Sequence, residues 1–461
     1  MNGMKRKTLL ILILTAFTAF FLALGLAACG ESDPNGDNHE DDDPPAHVHS
    51  FSVDNVCECG ETWEFSSGLS YEYDGETDSY ALVGLGTNEG ENVVVPYGEK
   101  GKFVTVVKGD AFYKANLDSV TLPDSIVSLE DGCFCNARIG LLVLGRGIRS
   151  IKSYVFEDAR ITTLNIPDLA AYCKISFYSD EDVPPAQAIL IDGTPTTELV
   201  LPEGVTEIPD YAFYGFSSLT KITVPKSVTS IGENALIQCV LNAVAVTEGN
   251  PSYYAEGNCL IEKASKTVLV GGNGASLPSN AAAIASYAFA GCNLPSFTFP
   301  STITAIPRGA FEKCSFTALT IPNTVTYVGS SAFQGASISS LRVCADSASA
   351  SGETTIDSNA FMNCGLTDVT IGNGVKEIGY QAFRGNSQLR EVALGKNITS
   401  IGGSAFMSCH SSITFLYAGS FADWNLIFKG NGFVWKSGNA NAYKVSCSDG
   451  TYSYNENGSL I

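Results

Sequence analysis

Residues able to do chemistry are few in this chain, and their spacing argues against catalysis. Its four histidines are His39, His47, His49 and His410. His47 and His49, followed by Cys57 and Cys59, offer two imidazoles and two thiolates, a donor set that suits tetrahedral zinc. The Cys57-Glu58-Cys59 spacing is one residue shorter than the usual Cys-x-x-Cys. A disulfide or an unliganded segment accounts for the same residues, so no metal and no cofactor is assigned. Cys409-His410 sets a nucleophile beside a base in sequence, but adjacent side chains point apart. There is no His-Glu-x-x-His helix, no Gly-x-Ser-x-Gly elbow and no phosphate loop. Acidic residues in the repeated region form no recurring close pair of the kind that glycan-cleaving solenoids need. The chain reads as a non-enzyme with no catalytic residue.

The N-terminus carries an address. Lys5, Arg6 and Lys7 precede an apolar stretch from Thr8 to Leu24, followed by Leu26-Ala27-Ala28-Cys29. The order of basic, apolar and small-residue segments is that of a signal peptide. The last four residues resemble the lipobox of bacterial lipoproteins. That resemblance implies cleavage before Cys29, lipid attachment to its thiol, and a protein held on the outer face of a bacterial membrane. A transmembrane anchor is the competing reading, near the lower length limit for a span. The segment from Glu31 to Pro45 is rich in Asp, Asn, Gly and Pro and reads as a tether without a core of its own. Residues 30 to 99 hold 18 acidic and no basic residues, whereas 100 to 461 hold 24 basic and 30 acidic. Most of the formal charge of −21 therefore sits ahead of residue 100. Nucleic acid, which needs a basic footprint, is excluded as a partner.

The rest of the chain is organised by a repeat. An aromatic residue closes the same phrase at Phe112, Phe213, Phe289, Phe311, Phe333, Phe361, Phe383 and Phe406, with degenerate copies at Phe134, Phe156 and Leu236. One copy runs Phe316, Leu319, Ile321, Pro322, Val325, Val328, Gly329, Ala332, Phe333. A fixed period of 22 or 23 residues is a solenoid signature. Each unit opens on an apolar-x-apolar step such as Ile222-Thr223-Val224, a short strand with one buried face. Proline or glycine then stops it, because proline lacks the ladder donor and fixes φ. The return path has apolar residues three apart, as at Val228 and Ile231, which predicts a helical or 3₁₀ turn or a loop. A unit buries about six side chains at roughly 1.5–3 kcal/mol each, against an ordering cost of about 1–2 kcal/mol per residue. A lone unit cannot fold; a stack sharing one core can. The expected product is a stack of about a dozen coils, about 60 Å long at one strand spacing per coil. A continuous parallel sheet is expected on one face.

The phrase Leu-x-x-apolar-x-apolar-Pro-x-x-Val-x-x-Ile-Gly-x-x-Ala-Phe resembles the BspA-like leucine-rich repeat of bacterial surface proteins, over roughly residues 100 to 415. The resemblance implies a cell-surface protein linked to adhesion or to binding host proteins.

The chain divides into a signal peptide (1–28), an acidic tether (29–50), a leader with a hairpin (51–108), the solenoid (109–412) and a C-terminal cap (413–461). Spacing breaks predict enlarged coils near 168–198 and 241–275. In the cap, Trp424 and Trp435 read as an apolar plug, with a sugar-stacking platform as the alternative. Cys239, Cys292, Cys314, Cys364 and Cys409 fall three residues after the motif apolar residue, where other copies have alanine. That phase predicts small buried thiols, although neighbouring coils would also allow a cross-coil disulfide. The solvent-facing row at the strand centres reads Thr121, Val143, Asn165, Val200, Thr223, Thr298, Thr320, Arg342, Thr370, Ala393 and Thr414. Threonine there satisfies β propensity on an exposed pleat. As a rigid surface, the row makes Thr223, Thr298, Thr320, Arg342 and Thr370 the candidate ligand contacts. The expected function is binding of extracellular proteins or glycans by a membrane-held solenoid. The alternatives are an envelope spacer or self-associating module, and a glycan-binding protein.

Overall fold

The computed structural model describes residues 50–345, 354–432, 434, 443–455 and 460–461. It comprises two compact units, one ending at Trp63 and one running from Glu64 to Ile461. The signal segment, the tether, His39, His47, His49 and Trp435 lie outside the described residues.

In the first unit the chain makes a small double turn. Bridges join Phe51 to Cys57 and Val56 to Thr62, and the rings of Phe51 and Trp63 sit 5.3 Å apart.

The second unit is a parallel β-solenoid of about 14 turns with almost no helix. One coil shows how the repeat becomes structure. The strand Leu319–Ile321 ends at Pro322. The two-residue strand Tyr327–Val328 follows, then a loop carries Ala332-Phe333 inward, both fully buried. Leu319, Ile321, Val325 and Val328 are all buried as well. Each segment pairs with its copy one coil away: Leu319–Ile321 with Ser340–Val343, and Tyr327–Val328 with Thr354–Ile356. The loops are laddered too, with the Phe311 amide donating to Ala332 O at 2.7 Å and Phe333 to Ala360 O at 2.8 Å. Backbone groups are thus satisfied from coil to coil, so loops can lie against the core without orphaned amides.

Two details differ from the sequence expectation. The return path carries a second parallel ladder, and its three-residue spacing comes from a turn followed by a two-residue strand. A two-residue strand has too little length to show alternation in sequence. Among the described residues, helix is confined to α1 (Leu169–Tyr172), α2 (Phe421–Leu426) and one 3₁₀ turn at Asp180–Asp182. The sheet face is also divided into three ladders. The first ends where Ala186–Ile191 turns back onto Thr194–Thr196 as an antiparallel hairpin. The second begins at Glu198–Val200 and runs to Ala243–Val246. The third starts at Leu319–Ile321. The second interruption includes the regularly spaced coil at Phe297–Phe299, which forms no strand.

The core is a column of rings. Phe289, Phe311, Phe333, Phe361, Phe383 and Phe406 stack with centroids 5.0–5.2 Å apart, one coil spacing per ring. Phe112, Phe134 and Phe156 form a shorter stack. Where the first enlarged coil leaves no motif phenylalanine, α1 delivers Tyr172. Its ring lies 5.6 Å from Phe213 and its hydroxyl donates to Ala212 O at 2.8 Å. The apolar interior separates into two clusters at the second enlarged coil, where Cys259 and Ile261 face one and Leu260 the other. Alternate residues of that strand make it a wall between two cores. At the far end, Phe415 meets Phe406 edge-on at 5.0 Å, and Trp424 of α2 closes over it, fully buried. Trp424 is therefore a plug and offers no face to a sugar.

Candidate functional site

The sheet face is built by strands whose outer residues are held in register by the ladder. Thr320, Arg342 and Thr370 are paired across three neighbouring strands, and the row continues through Ala393. Thr320 and Arg342 are exposed and Thr370 is half-buried. Two positions earlier, on the same face, Ser340 donates its hydroxyl to Asp368 at 3.0 Å. These three of the five candidate contacts share one surface at one strand spacing each.

The other two stand apart. Thr223 belongs to the second ladder, between Val200 and Ala245, beside a Glu198–Lys221 ion pair at 3.0 Å. Thr298 is exposed but lies outside any strand.

The exposed row is corrected at two points. Asn165 is buried, because the hairpin turn folds over it and the Gly193 amide donates to its side chain at 3.0 Å. At the last coil Thr414 pairs with Glu391, and the residue opposite Ala393 is Leu416. Ile413, Phe415 and Tyr417 alternate, so either intervening residue fits the pattern, and only pairing to the previous coil selects Leu416.

Cys57 is buried and Cys59 exposed, on a tight turn in which the Gly60 amide donates to Cys57 O at 2.8 Å. With His47 and His49 outside the described residues, half of the zinc donor set has no geometry. Among the described residues, no group of three or more histidine, cysteine or acidic side chains is placed to hold a metal ion. The five repeat-phase cysteines are buried and unbridged. Burial pushes the thiols of Cys239, Cys292, Cys364 and Cys409 up to about 12 and raises Cys314 as well. Thiols so far from ionisation are poor nucleophiles, so Cys409 is a core residue and the Cys409-His410 pair has no catalytic geometry.

A cavity of about 470 Å³ opens at the first interruption, between Cys173–Ser176 and Glu203–Glu207. A second, of about 270 Å³, lies between Ile231–Ile237 and Leu269, Val270, Ala285 and Ser286. Neither cleft was visible in the spacing of the sequence, because each is lined by segments of separate coils.

A family model described as the BspA type leucine rich repeat region matches residues 102–182, 191–257, 273–351 and 354–421 in six copies. The chain belongs to this BspA-type leucine-rich repeat family. No curated protein matches it. Among solved structures, a leucine rich cell surface protein from Faecalibacterium prausnitzii is similar, at 19% identity over 79% of this chain and 97% of that one, with a TM-score of 0.50. A leucine-rich repeat protein from Eubacterium ventriosum shares 20% identity over 74% and 87%, with a TM-score of 0.46. The pneumococcal vaccine antigen PcpA shares 15% over 81% and 97%, with a TM-score of 0.47. At such identities the likeness is one of fold.

Proposed function

We propose that this chain is a lipid-anchored surface protein that binds extracellular proteins or glycans through its solenoid. Cys29 is the proposed point of attachment, with residues 29 to 50 as the tether. The observation that carries the reading is the Thr320–Arg342–Thr370 row, where rigidly spaced hydroxyls and one guanidinium stand on a sheet whose stability comes from the opposite face. Contacts repeated at one strand spacing add up along an extended partner.

The test is capture from host-matrix proteins and cell-wall glycans by the intact chain. Changing Thr298, Thr320, Arg342 and Thr370 together to alanine should weaken capture strongly with little effect on melting temperature. Affinity that survives those four changes but falls when residues 241 to 275 are trimmed would move the site to the enlarged coil.

A further inference from the structure

The edge of the solenoid formed by the Ala-Phe loops carries an unusual set of tyrosines. Two residues before the motif aromatic, the backbone is left-handed in coil after coil. The position is filled by Asp110, Asn234, Ser331, Asn359, Gln381 and Ser404 at φ between 54 and 64°. These small or polar residues tolerate that region best. Tyr154, Tyr211 and Tyr287 occupy the same position at φ 60, 60 and 59°. A bulky ring gains nothing there from the backbone, and none of the three belongs to the buried column. Tyr154 is 55% exposed, and Tyr178 on the next loop is 59% exposed.

Nearby loops along the same edge carry these tyrosines. Tyr154 and Tyr178 are tied by their amides to one buried carboxylate, Asp182, at 2.9 and 3.0 Å. Tyr211 and Tyr214 lie 6.2 Å apart. The Tyr214 hydroxyl takes a hydrogen bond from Gln238 at 2.8 Å, and burial, with the charges of Asp180 and Tyr287 adding to it, pushes its ionisation up. Tyr287 is seated on Gly309, where a Cβ would fall 2.1 Å from its ring. The same loops carry Glu157, Asp180, Glu181 and Glu233, all exposed, and none is ion-paired among the described residues. The cations nearest these tyrosines in the repeat are Lys152, Arg308 and Lys313, with Lys114 and Arg384 on other loops of the edge. Lys313 pairs with Glu312 at 3.0 Å, and the Lys152 ammonium lies 5.6 Å from the Tyr178 centroid.

We propose that this tyrosine and carboxylate strip is a docking surface for a cationic, arginine- or lysine-bearing segment of a partner protein. The inference rests on the binding role proposed above and places part of it on the loop edge, away from the sheet. Tyrosine faces attract guanidinium and ammonium groups, as Lys152 already demonstrates within the chain. Unpaired carboxylates beside them supply bidentate partners for arginine. Tyrosine also contributes large, stiff contact area at low entropic cost.

The test uses the full chain and a fluorescein-labelled (Gly-Arg)6 peptide, read by anisotropy, with (Gly-Glu)6 and a glucosamine oligomer as comparisons. The variant is Tyr154→Asn, Tyr211→Asn, Tyr287→Asn, which puts at each site a residue the repeat already uses there and leaves every carboxylate in place. The expected result is saturable binding of the arginine peptide alone, weakened at least tenfold in the variant, with cooperative unfolding retained. Equal affinity of wild type and variant would show charge attraction to the tether or elsewhere and would overturn the proposal, as would absence of saturable binding. Binding of the glucosamine oligomer in place of the peptide would overturn it in favour of an amino glycan. The changes at Thr298, Thr320, Arg342 and Thr370 should leave peptide affinity unaltered. Partner capture that depends on those four residues while the peptide fails to bind would reject this site and leave the broader binding role standing.

Discussion

Cys364 donates its thiol to the carbonyl of Phe333, one coil back, at 2.9 Å. The relationship recurs from Cys314 to Phe289 at 2.8 Å, Cys239 to Phe213 at 3.0 Å and Cys409 to Phe383 at 3.3 Å. Asn386, fully buried at the same phase, does likewise to Phe361 O at 3.0 Å. The position three residues after the motif apolar residue is thus a polar tie between coils, adding a second donor to a carbonyl that, at Phe333, Phe289 and Phe213, already accepts an amide of its own turn. Where alanine stands there instead, as at Ala336, the tie is missing.

The first prediction follows from that tie. Cys364→Ala should cost about 1 kcal/mol, the net worth of one hydrogen bond. Asn386→Ala should cost more, because it also orphans the Cys364 and Leu366 amides that its side chain accepts. Denaturant unfolding of both variants checks the order; equal losses would mean the tie carries no weight. In the native protein these thiols should resist alkylation at pH 8 and react only on unfolding, as read by mass spectrometry.

The ring column yields a second prediction. Phe311→Ala removes a fully buried ring between two stacked neighbours and should cost about 3–5 kcal/mol. Thr320→Ala, on the exposed face, should stay within about 0.5 kcal/mol. Because the wall at Cys259–Glu262 separates two cores, faster hydrogen exchange in the Phe311 variant should concentrate after residue 283 and spare 104 to 222. Uniform acceleration would show one core where the structure has two.

Lys429 supports a third. Burial pulls its ammonium from 10.5 down to about 8, although it donates to Trp424 O at 2.5 Å and Ile427 O at 3.0 Å. The folded state therefore holds fewer protons than the unfolded chain between pH 8 and 10.5, and stability rises with pH across that window. Below pH 8 the cost of burying the charge is fully present. A lysine Cε resonance titrating near pH 8 should be seen by NMR and vanish in Lys429→Met. That variant should also lose the rise in stability between pH 8 and 10.5.

A fourth concerns Cys29. Cys29→Ala should abolish labelling by a lipid precursor and release the protein from the membrane. Detergent-phase partitioning that is unchanged in the variant would disprove lipid anchoring.

The period, the identity of the inward side chains and the phase of the cysteines were all legible in the sequence. Each is a local property, repeated every 22 or 23 residues by a chain that must bury the same face each time. The ends and interruptions were less legible. Thr414 and Leu416 fit the same alternation, Asn165 alternates outward until a hairpin covers it, and Tyr172 sits on a helix with no repeat phase yet fills the ring column. The tyrosine strip was invisible, since Tyr154, Tyr211 and Tyr287 are far apart in sequence and fall on one edge only through the stacking of coils. Sequence by itself determined which side chains point into the core, because periodicity and apolar burial act within one coil. Tertiary structure alone decided register, the breaks in the ladders and the company each surface residue keeps, because those depend on hydrogen bonds made between coils.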